Sequence, residues 1–175
     1  LDVARSPLDR MALATPEVDA FCSSTAWSLS AHETFHPEQE PYFFQSDVGY
    51  LVLARGWTPA FGRYLCPLEA MWGLASPLVG TDPLELGRQA GELLLSLQDE
   101  WDGLWLCGLS PRSHAFVGLA MALDEEHNLY MGPTTRRHVS SLEGGVDGFL
   151  RRRSPSFRRN LRRANRGATA AGVVF

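Results

Sequence analysis

The stretch TDPLELGRQAGELLLSLQ, residues 81–98, most constrains what this chain can become. Thr81 or Asp82 can cap a helix, Pro83 suits its first turn with Glu85 after it, and Leu86, Ala90, Leu93, Leu94 and Leu97 recur at i, i+4, i+7, i+8 and i+11. A helix with one apolar stripe must lay it on a second apolar surface. The preceding segments supply one. YFFQ (42–45), YLVLARG (50–56) and FGRYLCPL (61–68) are short aromatic and β-branched runs separated by SDVG and WTPA, the pattern of an antiparallel meander.

The flanks fit the same scheme. Residues 1–20 read as a leading segment with a short helix, and STAWSLSAHETFH (24–36) as a helix that starts on Ser/Thr and stops before Pro37. After residue 98, GLWLCGLS (103–110) reads as a buried strand, SHAFVGLAMALDEE (113–126) as a helix and NLYMGP (128–133) as another strand. A meander followed by alternating helices and strands predicts an α/β protein of the α+β kind, with a mixed, mainly antiparallel sheet flanked by helices.

With 45% hydrophobic residues over 175 positions, the chain can bury a core of its own. No apolar run approaches the ~18–20 residues of a membrane helix, and no basic segment leads into an apolar one, so a cytoplasmic protein without a membrane partner is the default expectation. Cys22, Cys66 and Cys107 are odd in number and widely spaced, which fits neither a disulfide framework nor a zinc ribbon. They read as small buried hydrophobes.

Charge is distributed unevenly. All 16 basic residues are arginine, a bias that coding composition alone can produce. Their placement is more informative: residues 1–135 hold 6 Arg against 18 acids, formally −12, and residues 136–175 hold 10 Arg against 2 acids, formally +8. The chain opens on Leu1 without an initiator Met and closes on GVVF, which reads as the start of a strand. It is therefore expected to be a fragment, with a domain over 1–150 and, over 151–175, a junction helix and the first strand of a second domain.

Two motifs invite chemistry and lose it in context. HETFH (32–36) has the H-E-x-x-H form in which His32 and His36 would hold zinc and Glu33 would activate water. Pro37 ends the helix at the second histidine, and EQEPYFF beyond it carries no third ligand, so a helix end with solvated histidines is expected and no metal. Arg88-Gln-Ala-Gly-Glu-Leu93 is similar to a pyrophosphate-binding turn, but Leu93 stands where a small residue is needed and the glycine lies inside a strongly periodic helix. His114, His127 and His138 have no ligand spacing. No nucleophile elbow, phosphate loop or dinucleotide fingerprint occurs, and no catalytic residue is assigned.

One feature remains: SPSFRRNLRRANRGATAAGVVF, residues 154–175. Residues 144–154 read as a short helix leading into it. Ser154 is a good N-cap and Pro155 suits the first helical position, while Phe157, Leu161, Ala164 and Ala168 form a stripe at i, i+4, i+7 and i+11 that is expected to dock on a core. Arg158, Arg159, Arg162, Arg163 and Arg166 cover the rest, with no acid between 148 and 175 to offset their mutual repulsion. The offset can come from acids earlier in the chain, from a phosphate-bearing ligand, or from a partner domain. Arginine's planar fork suits phosphate and carboxylate alike.

FLRRRSPSFRRNLRRANRGATAAGVVF and FGRYLCPLEAMWGLASPLVGTDPLELG resemble two segments of GNAT-superfamily N-acyltransferases of the Fem-like, cellulose-biosynthesis-type (CelD-like) group. The resemblance implies a double-GNAT protein of which this chain is the amino-terminal half, moving an acyl group from acyl-CoA, or from a charged tRNA, to an amine acceptor. Acyl-CoA (acetyl-CoA) would then be the co-substrate of the parent protein, bound by a missing C-terminal domain. On this reading Arg158, Arg159, Asn160, Arg162 and Arg163 bind substrate or anion in a cleft, and Trp72, Pro77, Leu78 and Gly80 shape it. Gly167-Ala168-Thr169 departs from the pattern and is expected to interrupt the charged helix. The rival function is nucleic-acid or other phosphate binding through the arginine helix, and the zinc peptidase is the third.

Overall fold

The computed structural model describes residues 6–123, 128–134, 140–141 and 143–173. The chain divides into two compact units, residues 1–130 and 131–175. Among the described residues the first holds helices α1 (Pro7–Ala14), α2 (Thr25–Phe35), α3 (Pro83–Ser96) and α4 (His114–Leu123), with strands β1 (Glu40–Gln45), β2 (Gly49–Thr58), β3 (Gly62–Pro67), β4 (Leu78–Gly80) and β5 (Gly103–Leu104). The second holds α5 (Gly145–Arg151) and α6 (Pro155–Ala170). A mixed five-stranded sheet flanked by helices makes this an α+β fold.

The expected meander is present: β1 pairs with β2 and β2 with β3, both antiparallel. β2 is the central strand, and its alternation divides the core. Leu51 and Leu53 point to one face, where Leu86, Ala90 and Leu94 of α3 and Ala115, Leu119 and Leu123 of α4 cover them. Val52 and Ala54 point to the other, against Leu8 and Ala12 of α1 and Leu29 of α2. A strand buried on both faces needs a continuous apolar run, which is what YLVLA provides.

β4 has an unusual place. Pro67 at the end of β3 lies opposite Leu53, and Leu78 at the start of β4 lies opposite Leu51. Both strands run antiparallel to β2 along the same edge, and the Val52 N–H donates to Pro77 O at 2.8 Å between them. Thus β3 and β4 are one edge partner interrupted by an excursion over residues 68–77, a compact loop with adjacent ends.

α3 begins as its sequence dictates, with the Asp82 side chain accepting from the Glu85 N–H and Pro83 in the first turn. It packs on α4 nearly backbone to backbone: a Cβ on Gly87 would lie 2.1 Å from Ala115 O, and one on Gly118 2.1 Å from Leu84 O. Glycine is required at both positions by this close approach.

Three sequence expectations change. The strand expected over 103–110 pairs with β3, in parallel, only at Gly103 and Leu104, its last bond running from the Trp105 N–H to Leu65 O at 2.9 Å, and the chain turns at Gly108 (φ 77°) close against Ala75 O. Residues 128–133 are exposed and form no strand. α6 is not interrupted at Gly167 but runs to Ala170, where Ala171 caps it. Residues 124–126 of the expected helix, His127, His138, and Val174 and Phe175 of the expected terminal strand lie outside the described residues.

Candidate functional site

Helices α5 and α6 form a groove in the second unit. Arg152 fastens α5 to the preceding loop by donating to Ser141 O at 2.7 Å and Glu143 O at 3.0 Å. Phe149 then joins the two helices: its ring meets Phe157 edge-on at 6.2 Å, and the Arg153 guanidinium lies 4.2 Å from its centroid. Ser154 starts α6 by accepting from the Phe157 N–H, with Pro155 in the first turn. No residue of α6 is buried, so its apolar stripe is not seated in a core as expected.

The groove encloses about 340 Å³ and is lined by Asp147, Leu150 and Arg151 of α5 and Arg158, Leu161, Arg162 and Asn165 of α6. The spacing explains the set. Residues 147, 150 and 151 fall at i, i+3 and i+4, and residues 158, 161, 162 and 165 at i, i+3, i+4 and i+7, one face of each helix. Leu150 and Leu161 are half-buried and supply the apolar part of the lining. Three guanidiniums, the Asp147 carboxylate and an amide surround it.

Among the described residues of this unit the acids are Glu143 and Asp147, and neither makes an ion pair with Arg151, Arg158 or Arg162. The arginines of the first unit behave differently. Arg55 meets Glu100 at 3.1 Å, Arg63 meets Asp102 at 3.1 Å, and Arg88 bridges Glu85 and Glu92. The hydrogen bond from Arg88 holds the Glu85 carboxyl down at about 2.

Of the residues singled out in the sequence, Arg158 and Arg162 line the groove, whereas Arg159, Asn160 and Arg163 lie on other faces of α6, exposed. Arg151 and Asn165 line it and were not anticipated. Their i, i+3, i+4 relation to Asp147 and Leu161 was available in the sequence as a signal. What the sequence lacked was the turn at 152–154 that folds one helix face onto the other.

Trp72, Pro77, Leu78 and Gly80 belong to the first unit and do different things there. Pro77 O closes the strand edge, Leu78 is buried in the core, and the Gly80 N–H donates to Thr15 Oγ1 at 2.8 Å. Trp72 stands half exposed, edge-on to Phe35 at 5.2 Å and tilted against Trp27 at 5.6 Å.

The residue that organises this loop is Glu69, 1% exposed. Its Oε1 accepts from the N–H groups of Trp72 at 2.6 Å and Gly73 at 3.2 Å, and its Oε2 from those of Leu74 at 2.6 Å and Ala75 at 3.1 Å. Four donors on one carboxylate offset the loss of its hydration and fix residues 69–75 as a ring around it. Cys107 packs near the same loop, and burial, then the nearby Glu69 charge, pushes its thiol up to about 11. Burial likewise raises Cys66 to about 11, so both thiols stay protonated and unreactive at neutral pH.

The histidine motif is also resolved by its surroundings. His32 is 4% exposed, not solvated as expected, because its face of α2 turns inward and Nε2 lies 3.1 Å from Gln39 O. His36 has left the helix, at φ −140° in the C-cap, with Nδ1 3.6 Å from Glu38, while Glu33 is exposed. Arg88–Leu93 lies wholly within α3, where a Cβ on Gly91 would stand 2.4 Å from that of Ala122. That glycine serves helix packing. Among the described residues no group of three or more His, Cys, Asp or Glu is arranged to hold a metal ion, and no helix is long and apolar enough to cross a membrane.

Compared with models of known protein families, with curated proteins and with solved structures, the chain matches none.

Proposed function

We propose that this chain is the acceptor-side part of a GNAT-type N-acyltransferase, which moves an acyl group from acyl-CoA to an amine, and that the α5–α6 groove holds an anionic portion of a substrate. The observation that carries the reading is the set Arg151, Arg158 and Arg162 around one groove with no ion pair to an acid of their own unit. The resemblance of residues 61–87 and 149–175 to the acyltransferase segments supplies the class. In such chemistry the amine attacks the thioester directly once a base or a water chain has taken its proton. The groove's part is to position the acceptor, since phosphate or carboxylate received by two guanidinium forks is fixed in orientation as well as place. The acyl-CoA site belongs, on this reading, to another part of the parent protein.

Two measurements test the proposal. The chain mixed with acetyl-CoA and an amine panel is expected to show no turnover, and turnover would overturn the division of labour. A longer form of the protein that fails to bind CoA would overturn the class.

A second reading has its own support. Arg159, Arg163 and Arg166 recur at i, i+4 and i+7 on α6 outside the groove, all exposed, and suit a phosphate backbone. It expects log K for RNA to fall with log[salt] at about −0.7 per phosphate engaged. A flat titration with RNA at low salt would end it.

A further inference from the structure

The groove between α5 and α6 contains one group that a simple anion site would not include. Asp147 lines it beside Arg151, Arg158 and Arg162. A carboxylate in the wall of a site for a bare phosphate weakens that site by like-charge repulsion. Its usual justification would be to neutralise an arginine. The sequence offers that pairing in its favourable sense, Asp147 four residues before Arg151 on one helix. The pair does not form: Asp147 makes no ion pair among the described residues, although Arg88 in α3 engages acids at both i−3 and i+4. The groove thus presents both signs of charge, unpaired, across a partly apolar lining of Leu150 and Leu161.

We propose that the ligand of this groove is a small zwitterion, a phosphomonoester that also carries a protonated amine. The phosphate is received by Arg158, Arg162 and Arg151, the ammonium by Asp147, and a short carbon spacer lies over Leu150 and Leu161. Asn165 can donate to the phosphate or accept from the ammonium. The volume of about 340 Å³ exceeds what inorganic phosphate fills and lies at the small end of ligand sites, which suits a molecule of a few carbons. Charge balance points the same way. Three guanidiniums exceed the two charges of a phosphate dianion, so the anionic end is held by an excess of positive charge, while the one carboxylate matches the one ammonium.

This inference rests on the groove being an anion site, and the experiment separates the two claims. Calorimetric titration of the full chain at low ionic strength compares O-phosphoethanolamine with ethyl phosphate, which has the same spacer and no amine. O-phosphoethanolamine is expected to bind about tenfold more tightly, the scale of one charge-assisted contact. Asp147→Asn is expected to abolish that preference while leaving ethyl phosphate bound at least as well. Equal binding of the two ligands to the unaltered chain, or a preference that survives in Asp147→Asn, overturns the zwitterion and leaves the anion site standing. Binding of neither ligand, or binding that persists in the Arg158→Ala/Arg162→Ala double variant, overturns both. Circular dichroism of each variant checks that α5 and α6 remain folded.

Discussion

Glu69 and the arginines of α6 are opposite solutions to holding charge. Glu69 is sealed from water, and its charge is answered in full by four backbone N–H groups of the loop that it closes. Of the groove arginines Arg151 and Arg162 are exposed and Arg158 is half-buried, and among the described residues none is answered by an acid of their own unit. A compensated buried charge is architecture: it fixes a conformation and has nothing left to offer a ligand. An uncompensated exposed one contributes little to the fold and keeps its binding capacity. The contrast sorts the residues of this chain by role more sharply than composition does.

The largest test removes the compensated charge. Glu69→Ala leaves four amides without their acceptor and is expected to cost about 3–5 kcal/mol, a large share of a domain's total stability. Glu69→Gln retains one acceptor but turns an NH₂ toward the donors, at about 1–3 kcal/mol. Denaturant midpoints measure both, and a loss under about 1 kcal/mol for the alanine variant would break the distinction. Next, Arg158→Ala/Arg162→Ala is expected to reduce phosphomonoester affinity at least about tenfold while leaving the midpoint within about 0.5 kcal/mol of its original value. A fall in stability comparable to that of the Glu69 variants would mean that these arginines too are structural.

Asp9 gives a smaller effect between the extremes. Burial raises its carboxyl, but the hydrogen bonds from Thr25 and Ser6 together outweigh that and hold it below the ordinary carboxylate range. A depressed folded-state value means that its contribution is complete above the unfolded pKa and disappears as pH falls through the lowered one. Asp9→Asn should therefore narrow the difference in melting temperature between pH 7 and pH 3 relative to the unaltered chain. The smallest expected change is a gain. Arg163→Glu places an acid four residues after Arg159 and three before Arg166, relieving repulsion by a few tenths of a kcal/mol per pair, read as a slight rise in the midpoint.

Local pattern was enough for much of the fold. YFFQ, YLVLARG and FGRYLCPL pair as the meander they suggested, and Ser154, Pro155, Asp82 and Pro83 start their helices as their chemistry requires. What was missed depends on partners distant in sequence. The return of residues 78–80 to the edge of β2 and the parallel contact of Gly103 with Tyr64 leave no local period to detect. NLYMGP had strand composition, but composition does not supply a neighbour. Glu69 escaped notice because an acid in a turn ordinarily faces water. Its visible clue was a single charge inside CPLEAMWGLASPL, a stretch otherwise without one. For the groove, two helix faces could be written from the sequence, but not the turn that brings them together.

Because β3 and β4 occupy successive portions of the same edge of β2, the ladder resumes wherever the detour across 68–77 comes home. Its two ends are tied down, Leu68 in the core and Ala75 and Ser76 buried, with Glu69 holding the chain between them, whereas Met71 and Trp72 at its tip are half exposed. A change of side chain confined to that tip can therefore vary the surface at this spot while Pro67 and Leu78 keep their registers and the core stays as it is.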